Sequence, residues 1–239
     1  MPKVIFDVET VGQDFESLDD KSQEYFLKYA KTDTEKAEIR DSLSFYPLTA
    51  QIVAIGMLEV ESDKGWVFFQ GKDEKIKKFT PLEKVVTEQS SLTGFNEGKM
   101  EFIPGDEKAI LDNFWLQMKK FTTFITYNGR VFDCPFIMLR SAILKIKPSK
   151  NIMPYRYGHT VHVDLQDQLT FYYAMNKRFS LHMWCKAFGI KSPKENGITG
   201  LQVKEYFKQG KYVEIAKYCA GDLQATKELY HYWEKYLKF

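Results

Sequence analysis

The order of strand and helix patterns constrains the fold of this chain more than any other feature of its sequence. Five apolar runs are typical of strands: residues 3–9, 51–60, 65–70, 121–127 and 161–165. The first three follow one another, and the turn at residues 61–64 makes the second and third a hairpin. The last two alternate with helix patterns. This order predicts an α/β protein whose mixed five-stranded sheet is flanked by helices.

The helix patterns lie mainly after residue 105. Asp106 can cap a helix whose apolar residues share one face, namely Ile110, Leu111, Phe114, Trp115 and Met118. A second helix is predicted over residues 134–144. Ser180 can cap a third helix, which Gly189 ends, and the last and longest helix is predicted over residues 212–237.

Length and composition fit a single globular domain of residues 1–239. Within it, the polar residues 11–48 predict a helical insertion, whereas residues 71–106 match no clear pattern. Lys and Arg number 34 against 32 Asp and Glu. Bulk charge alone therefore does not bind nucleic acid, although a local basic groove is compatible with this balance.

Features of secreted and membrane proteins are missing from the sequence. The three cysteines, Cys134, Cys185 and Cys219, are too few for a disulfide framework and lack zinc-binding spacing. The first ten residues do not resemble a signal peptide, and no apolar run approaches the ~20 residues that span a bilayer. We therefore expect a cytoplasmic protein that does not contact a membrane.

Two acids stand at the end of the first predicted strand. Asp7 and Glu9 are two residues apart, and the alternation of side chains along a strand places them on the same face. Neighbouring carboxylates repel each other, and a divalent cation is a common remedy where they are buried. The alternative is a solvated strand end at which both acids are ordinary surface residues.

Two more acids follow later strand patterns. Asp133 lies between the strand pattern that ends at Tyr127 and the next helix, and Asp164 lies at the end of the fifth strand pattern. An acid at either place can serve as a helix cap. The apolar residues around Asp133 indicate a functional role for it. For Asp164, a cap or turn role is favoured over a place beside a metal ion.

The last predicted helix carries Tyr218 and Asp222. They are four residues apart and therefore share one face of the helix. Asp222 borders the apolar stripe of this helix, and no Lys or Arg stands four residues before or after it. The alternatives are a half-exposed acid and a tyrosine that belongs to the core.

Together these residues form three motifs in a fixed order. Asp7-x-Glu9, Asn128-x-x-x-Phe132-Asp133 and Tyr218-x-x-x-Asp222 fall on a first strand, a strand-to-helix junction and a terminal helix. This arrangement resembles the tyrosine branch of the DEDD (DnaQ-like) 3′→5′ exonucleases, which have a ribonuclease-H-like fold. The likeness covers residues 4–237 and is to stand-alone relatives of the proofreading domain of family B DNA polymerases. The insertion at residues 11–48 departs from the family pattern.

The resemblance implies a metal-dependent exonuclease that releases nucleoside monophosphates from the 3′ ends of single-stranded DNA. The four acids would hold two Mg²⁺ or Mn²⁺ ions, which prefer oxygen ligands: Asp7, Glu9, Asp133 and Asp222. Tyr218 would be the fifth catalytic residue. The usual pKa of tyrosine is about 10, so Tyr218 is expected to orient the attacking water.

Candidate substrate contacts flank the motif acids. Thr10 and Asn128 would touch the last nucleotide, and Phe132 would either stack on it or belong to the core. A group of basic residues either meets phosphates or forms a solvated face: Arg130, Lys145, Lys147, Lys150 and Arg156. The same stretch contains an aromatic and basic patch: Tyr155, Tyr157, His159 and His162.

The motifs also permit two other functions. Hydrolysis with two metal ions neither needs nor excludes a 2′-hydroxyl, so short or structured RNA is an alternative substrate, although DNA is the expected partner. A non-catalytic nucleic-acid-binding module of the same fold would keep the acids without turnover. The sequence favours no oligomeric state, and it favours none of repair, recombination or salvage as the pathway.

Overall fold

A seven-stranded mixed sheet organises the computed structural model, which describes residues 2–71, 94–158, 160–192, 198 and 200–238. Its strands are β1 (Lys3–Gly12), β2 (Ala50–Glu59), β3 (Gly65–Gln70), β4 (Phe95–Glu97), β5 (Met100–Gly105), β6 (Thr123–Thr126) and β7 (His162–Asp164). Their order across the sheet is β4-β5-β3-β2-β1-β6-β7. The pairs β1–β2, β2–β3 and β4–β5 are antiparallel, and the other three are parallel.

The predicted number of five strands is wrong because two further strands, β4 and β5, lie at one edge of the sheet. They fall in the stretch that matched no pattern, of which residues 72–93 lie outside the described residues. The sequence of β5 hides its strand character, because Glu101 and Pro104 interrupt the apolar alternation. β5 is stabilised by pairing with β3 and by a stacked contact between Phe95 and Phe102, whose ring centroids lie 4.5 Å apart. Neither contact is visible in the local sequence pattern.

Eight helices accompany the sheet in the described ranges: α1 (Asp20–Leu27), α2 (Asp33–Ser42), α3 (Glu107–Met118), α4 (Asp133–Ile143), α5 (Leu165–Leu169), α6 (Leu181–Phe188), α7 (Val203–Lys208) and α8 (Tyr212–Tyr236). The predicted caps are confirmed: Asp106 accepts the Ala109 N–H at 2.7 Å, and Ser180 accepts the Met183 N–H. Gly189 ends α6 in the left-handed conformation (φ 68°). Within these ranges, none of the helices is both long and apolar enough to cross a membrane.

The side chains of β1 alternate between two packed faces of the sheet. On one face, Phe6 packs with α3 and α4, and its ring centroid lies 5.3 Å from that of Phe114. On the other face, Ile5 packs with α5, α6 and α8. Because Asp7 and Glu9 have the parity of Ile5, they project toward the α8 side.

The insertion begins after Gly12, because β1 extends beyond the predicted residue 9. Neither α1 nor α2 buries a residue, so these helices lie outside the core. The insertion is attached through its last turn, Leu43–Phe45. The Thr10 hydroxyl donates to the Ser44 carbonyl at 2.7 Å, and an added Cβ at Gly12 would lie 2.6 Å from Ser44 N.

Candidate active site

The acidic end of β1 contains an irregularity in the strand pairing. Glu9 lies opposite Ala54 and Thr10 opposite Ile52, so one residue of β2 is skipped. Such bulges re-aim side chains and are frequent beside active sites. Glu9 is only 6% exposed, and Asp7 is half-buried. The alternative of a solvated strand end is therefore wrong.

Helix α8 lies close above β1 and β2 because Gly56 leaves room for it. Gly56 is the partner of Asp7 in the strand register. A Cβ on Gly56 would lie 2.7 Å from Leu223 Cδ1 and 2.9 Å from Cys219 Sγ, closer than packed carbon atoms come. The absence of a side chain there lets α8 carry Tyr218 and Asp222 over the end of β1.

Cys219 also reaches this site, and the sequence analysis missed it. Its sulfur lies 3.8 Å from the Asp7 carbonyl oxygen and 4.0 Å from Asp7 Oδ2. The possible ligand atoms of Asp7, Glu9 and Cys219 all lie within 4.8 Å of one another. Its position three residues before Asp222 could have indicated that it lies near the site. A cysteine in an apolar stripe, however, looks like an ordinary core residue.

Asp133 reaches β1 from the start of α4. Its Oδ1 accepts the Val8 N–H at 3.0 Å, and the residue is 3% exposed. The parallel pairing of β1 with β6 covers only Lys3–Ile5, so the Val8 N–H lies beyond that ladder. The helix-cap alternative is wrong for Asp133, because the N-cap position belongs to Phe132, which makes no side-chain cap bond.

The charges of the motif acids act on one another. Burial raises the pKa of the Asp7 carboxyl well above its usual range, and the charges of Asp133, Asp222 and Glu9 raise it further. Burial likewise raises the pKa of Asp133 to about 7, with a smaller contribution from Asp222. These shifts show that the other three motif acids all lie within electrostatic range of Asp7.

Tyr218 belongs to the same cluster. Its hydroxyl is hydrogen-bonded to Asp222, and its pKa is raised above the usual value by burial and by the charges of Glu9, Asp222 and Asp7. A neutral phenol beside carboxylates can donate a hydrogen bond and orient a polar group. The structure thus brings together all five residues that the sequence analysis named as catalytic.

Asp164 has the predicted cap and turn role. Its carboxylate caps α5 through the Gln166 N–H at 3.0 Å, and it accepts the N–H groups of Asn128 at 3.0 Å and Arg130 at 2.8 Å. Burial raises its pKa to about 6, although these three bonds act in the opposite direction. Asp164 therefore fixes the turn that leads into Asp133, and its charge helps to raise the pKa of Asp133.

The three predicted substrate contacts have different surroundings. The Thr10 hydroxyl is engaged by the Ser44 carbonyl. Asn128 has a left-handed backbone (φ 61°), and no hydrogen-bond donor in the described part of the chain reaches its buried Oδ1. Phe132 is half-buried; its ring packs against Phe136 of the core and Phe45 of the insertion, at 5.4 and 6.4 Å.

Several of the predicted basic contacts are internal. Arg130 is 8% exposed, and its guanidinium donates to the carbonyls of Pro154 at 2.8 Å and Tyr155 at 3.1 Å. The Lys150 ammonium donates to the Phe121 carbonyl. Both cations hold the chain together, an internal role that neither of the two alternatives included.

The aromatic and basic patch is smaller than predicted. His162 is buried and shares a hydrogen bond with the Thr126 hydroxyl at 2.8 Å, so it does not belong to a surface. His159 lies outside the described residues. Tyr155 and Tyr157 are exposed as expected, and Arg156 forms a two-pronged ion pair with the buried Asp167.

Comparisons with known proteins bear on the family and the fold of this chain. A family model described as "Predicted 3'-5' exonuclease related to the exonuclease domain of PolB" matches residues 45–237. This range includes Asp133, Tyr218 and Asp222, and it begins after Asp7 and Glu9. A search of curated proteins gave no match.

One similar solved structure is the family B DNA polymerase from the hyperthermophilic archaeon Pyrobaculum calidifontis, with a TM-score of 0.58 and 15% identity. The alignment covers 98% of this chain and 24% of the polymerase chain, so this chain spans about a quarter of that protein's length. This likeness confirms the predicted ribonuclease-H-like α/β fold class.

Proposed function

The chain belongs to the family of predicted 3′-5′ exonucleases related to the exonuclease domain of PolB, and we propose that it is a metal-dependent enzyme of the tyrosine DEDD branch. Its proposed substrate is the 3′ end of single-stranded DNA, from which it releases nucleoside monophosphates. The observation that carries this proposal is the meeting of four carboxylates and one tyrosine from three separate elements. Packing alone does not call for such a cluster, since buried like charges destabilise a fold.

The donor atoms fit hard divalent cations. The raised pKa values of Asp7 and Asp133 mean that the cluster repels further negative charge and favours a bound cation or protons. Carboxylate oxygens are the ligands that Mg²⁺ and Mn²⁺ prefer. Asp7, Glu9, Asp133 and Asp222 would hold two such ions, which would activate the attacking water and stabilise the departing 3′ oxygen.

The chain's own residues supply orientation. The Tyr218 hydroxyl, fixed by Asp222, can hold the attacking water in line with the terminal phosphodiester. The Asp133 carboxylate is itself fixed by the Val8 N–H. Since both side chains are held before substrate arrives, little reorganisation is needed at the moment of reaction.

The turn before Asp133 supports binding of the terminal nucleotide. The buried Asn128 Oδ1 has no protein donor in the described part of the chain, and a nucleotide N–H or hydroxyl would satisfy it. The rings of Phe132 and Phe45 make an edge-to-face contact, and this pair would stack on the last base. Thr10 would act through the backbone of Ser44, which its hydroxyl holds.

The test is hydrolysis of a single-stranded DNA oligomer labelled at its 5′ end, with Mg²⁺, Mn²⁺ or EDTA. We expect a metal-dependent ladder that shortens from the 3′ end, and its loss in Asp222→Asn. Asp112→Asn is the matched control, because this half-exposed acid pairs with Lys108 on α3. An intact oligomer in every lane contradicts the proposal and favours the non-catalytic binding module. Faster cleavage of a matching RNA oligomer favours the exoribonuclease alternative.

A further inference from the structure

A tyrosine-rich surface lies beside the proposed active site, and the proposed reaction assigns it no role. We name it the tyrosine surface, consisting of Tyr155, Tyr157, Tyr172, Tyr173 and Arg178. The rings of Tyr155 and Tyr157 lie 5.6 Å apart, and those of Tyr157 and Tyr172 lie 5.0 Å apart. Tyr155 is 76% exposed and Tyr157 is 59% exposed. The rings form a continuous row in contact with solvent.

Cations lie directly against Tyr173, which follows Tyr172 in the chain. The Arg178 guanidinium stands 4.7 Å from the centre of the Tyr173 ring, and that of Arg156 stands 5.0 Å from it. Residues 144–180 contain six Lys or Arg and only two acids, Asp164 and Asp167, both of which are buried. The outer charge of this stretch is therefore positive.

The backbone that presents these rings is held in an unusual conformation. Phe171, Tyr172 and Tyr173 have consecutive left-handed φ angles of 51°, 54° and 70°. This conformation is unfavourable for residues with a side chain and persists where the surroundings enforce it. The Tyr172 N–H donates to the Asp167 carbonyl at 2.7 Å, which holds the turn closed. The turn that carries Tyr172 and Tyr173 is thus held at a conformational cost.

The loop of the tyrosine surface is joined to the turn that leads into the active site. Arg130, three residues before Asp133, donates to the Tyr155 carbonyl and so ties this loop to the turn that leads into Asp133. Asp167, which pairs with Arg156, also lies 3.9 Å from Arg130 Nε. The tyrosine surface therefore lies beside the turn that carries Asp133 into the site.

We propose that the tyrosine surface binds the single-stranded nucleic acid upstream of the 3′ end that is cleaved. Exposed aromatic rings between cations are the combination that holds single strands, because every base can stack and every nucleotide carries a phosphate. The other flank of the site is less suited, since residues 13–49 contain nine Asp or Glu against five Lys or Arg. This inference rests on the proposed exonuclease function and names the path of its substrate.

The experiment measures binding and turnover separately. Binding of a fluorescein-labelled 12-nucleotide oligothymidylate is followed by anisotropy in EDTA, so that no hydrolysis intervenes. We expect Tyr157→Ala to weaken binding about tenfold, as loss of one base stack does. Arg178→Ala should lower the slope of log affinity against log salt by about 0.7. Tyr157→Phe keeps the ring and should bind like the unchanged protein.

Tyr236→Ala is the matched control, because Tyr236 is 63% exposed and lies in the last turn of α8, outside the tyrosine surface. In Mg²⁺, Tyr157→Ala should lower kcat/KM about tenfold on the 12-mer and leave hydrolysis of the p-nitrophenyl ester of thymidine 5′-phosphate unchanged. Equal affinity of Tyr157→Ala and Tyr236→Ala for the oligomer overturns the inference even where cleavage occurs. Selective loss of binding without any cleavage overturns the proposed reaction and leaves the tyrosine surface as a single-strand site.

Discussion

Strand β1 contributes different kinds of side chain to the two faces of the central sheet. On the face covered by α3 and α4, β1 contributes Val4, Phe6 and Val8 to a dry aromatic core. On the face covered by α8, it contributes Asp7 and Glu9, and the charge of Glu9 adds to the raised pKa of Asp7. The first face stabilises the fold through apolar burial, whereas the second buries Ile5 in the same way but gives up stability at its acidic end to gather charge. Changes on the two faces should therefore separate activity from stability.

The largest expected effect is on activity, from Asp7→Asn on the α8 face. Loss of one metal-binding carboxylate should lower kcat at least about a thousandfold, since the charge of the site is matched to the ions. In EDTA the melting temperature should stay the same or rise, because a repelling charge is removed. Activity follows from the labelled oligomer, and stability from circular dichroism. Activity within tenfold of the unchanged protein contradicts the proposed site.

The opposite result is expected from Phe114→Ala on the α3 face. Phe114 is fully buried and packs edge-to-face on Phe6. Its removal should lower the free energy of unfolding by about 3–5 kcal/mol, with turnover per folded molecule nearly unchanged. Urea unfolding measures the loss, and Leu48→Ala at a 77% exposed position is the control, with a change below about 0.5 kcal/mol. A thousandfold loss of turnover in folded Phe114→Ala would contradict the expectation that changes on the α3 face affect stability and not activity.

The α8 face should also make stability depend on pH when metal is absent. The pKa of Asp133 is about 7 in the folded protein and about 4 in an unfolded chain. Between these values the folded state binds more protons, so stability should fall as pH rises from about 4 to about 7. The expected loss is about 2–4 kcal/mol in EDTA. Urea unfolding at several pH values tests this, and Mg²⁺ should restore stability at pH 7.

The matched variant for this pH dependence is Asp133→Asn. It removes the group that takes up the proton while keeping an oxygen that can accept the Val8 N–H. Its stability in EDTA should change less between pH 4 and 7 than that of the unchanged protein. An identical pH profile would assign the proton uptake to another group.

The smallest expected effect comes from Gly56→Ala, which alters the contact between α8 and the sheet. A methyl group there meets Leu223 and Cys219 below 3.0 Å, so these side chains of α8 must shift relative to β2. Overpacking of this kind costs about 1–3 kcal/mol, and the shift of Asp222 relative to Asp7 should also lower kcat about tenfold. Gly200→Ala is the control, because an added Cβ meets no atom there within 4 Å. A stable variant with full activity shows that the close approach is not required.

Much of the fold was predictable from local signals. Caps at Asp106 and Ser180 and the glycine stop at Gly189 rest on bonds within one turn, and all three are confirmed. The strands β4 and β5 were missed because their stability comes from pairing with β3. The internal hydrogen bonds of Arg130 and Lys150 were also missed, since their partners are backbone carbonyls that lie distant in sequence. Local pattern does not report such contacts.

The sequence by itself determined the three elements that carry the site and that five chemically suitable residues stand on them. The alternation along β1 and the four-residue spacing in α8 are properties of single elements. Only the tertiary structure decided that these elements meet, because Gly56 admits α8 and the short β1–β6 ladder leaves the Val8 N–H to Asp133. The tertiary structure also places Cys219 beside Asp7 and Glu9, and it lets Asp164 accept a hydrogen bond from the backbone of the turn before Asp133. Distances between elements depend on packing, which no local spacing encodes.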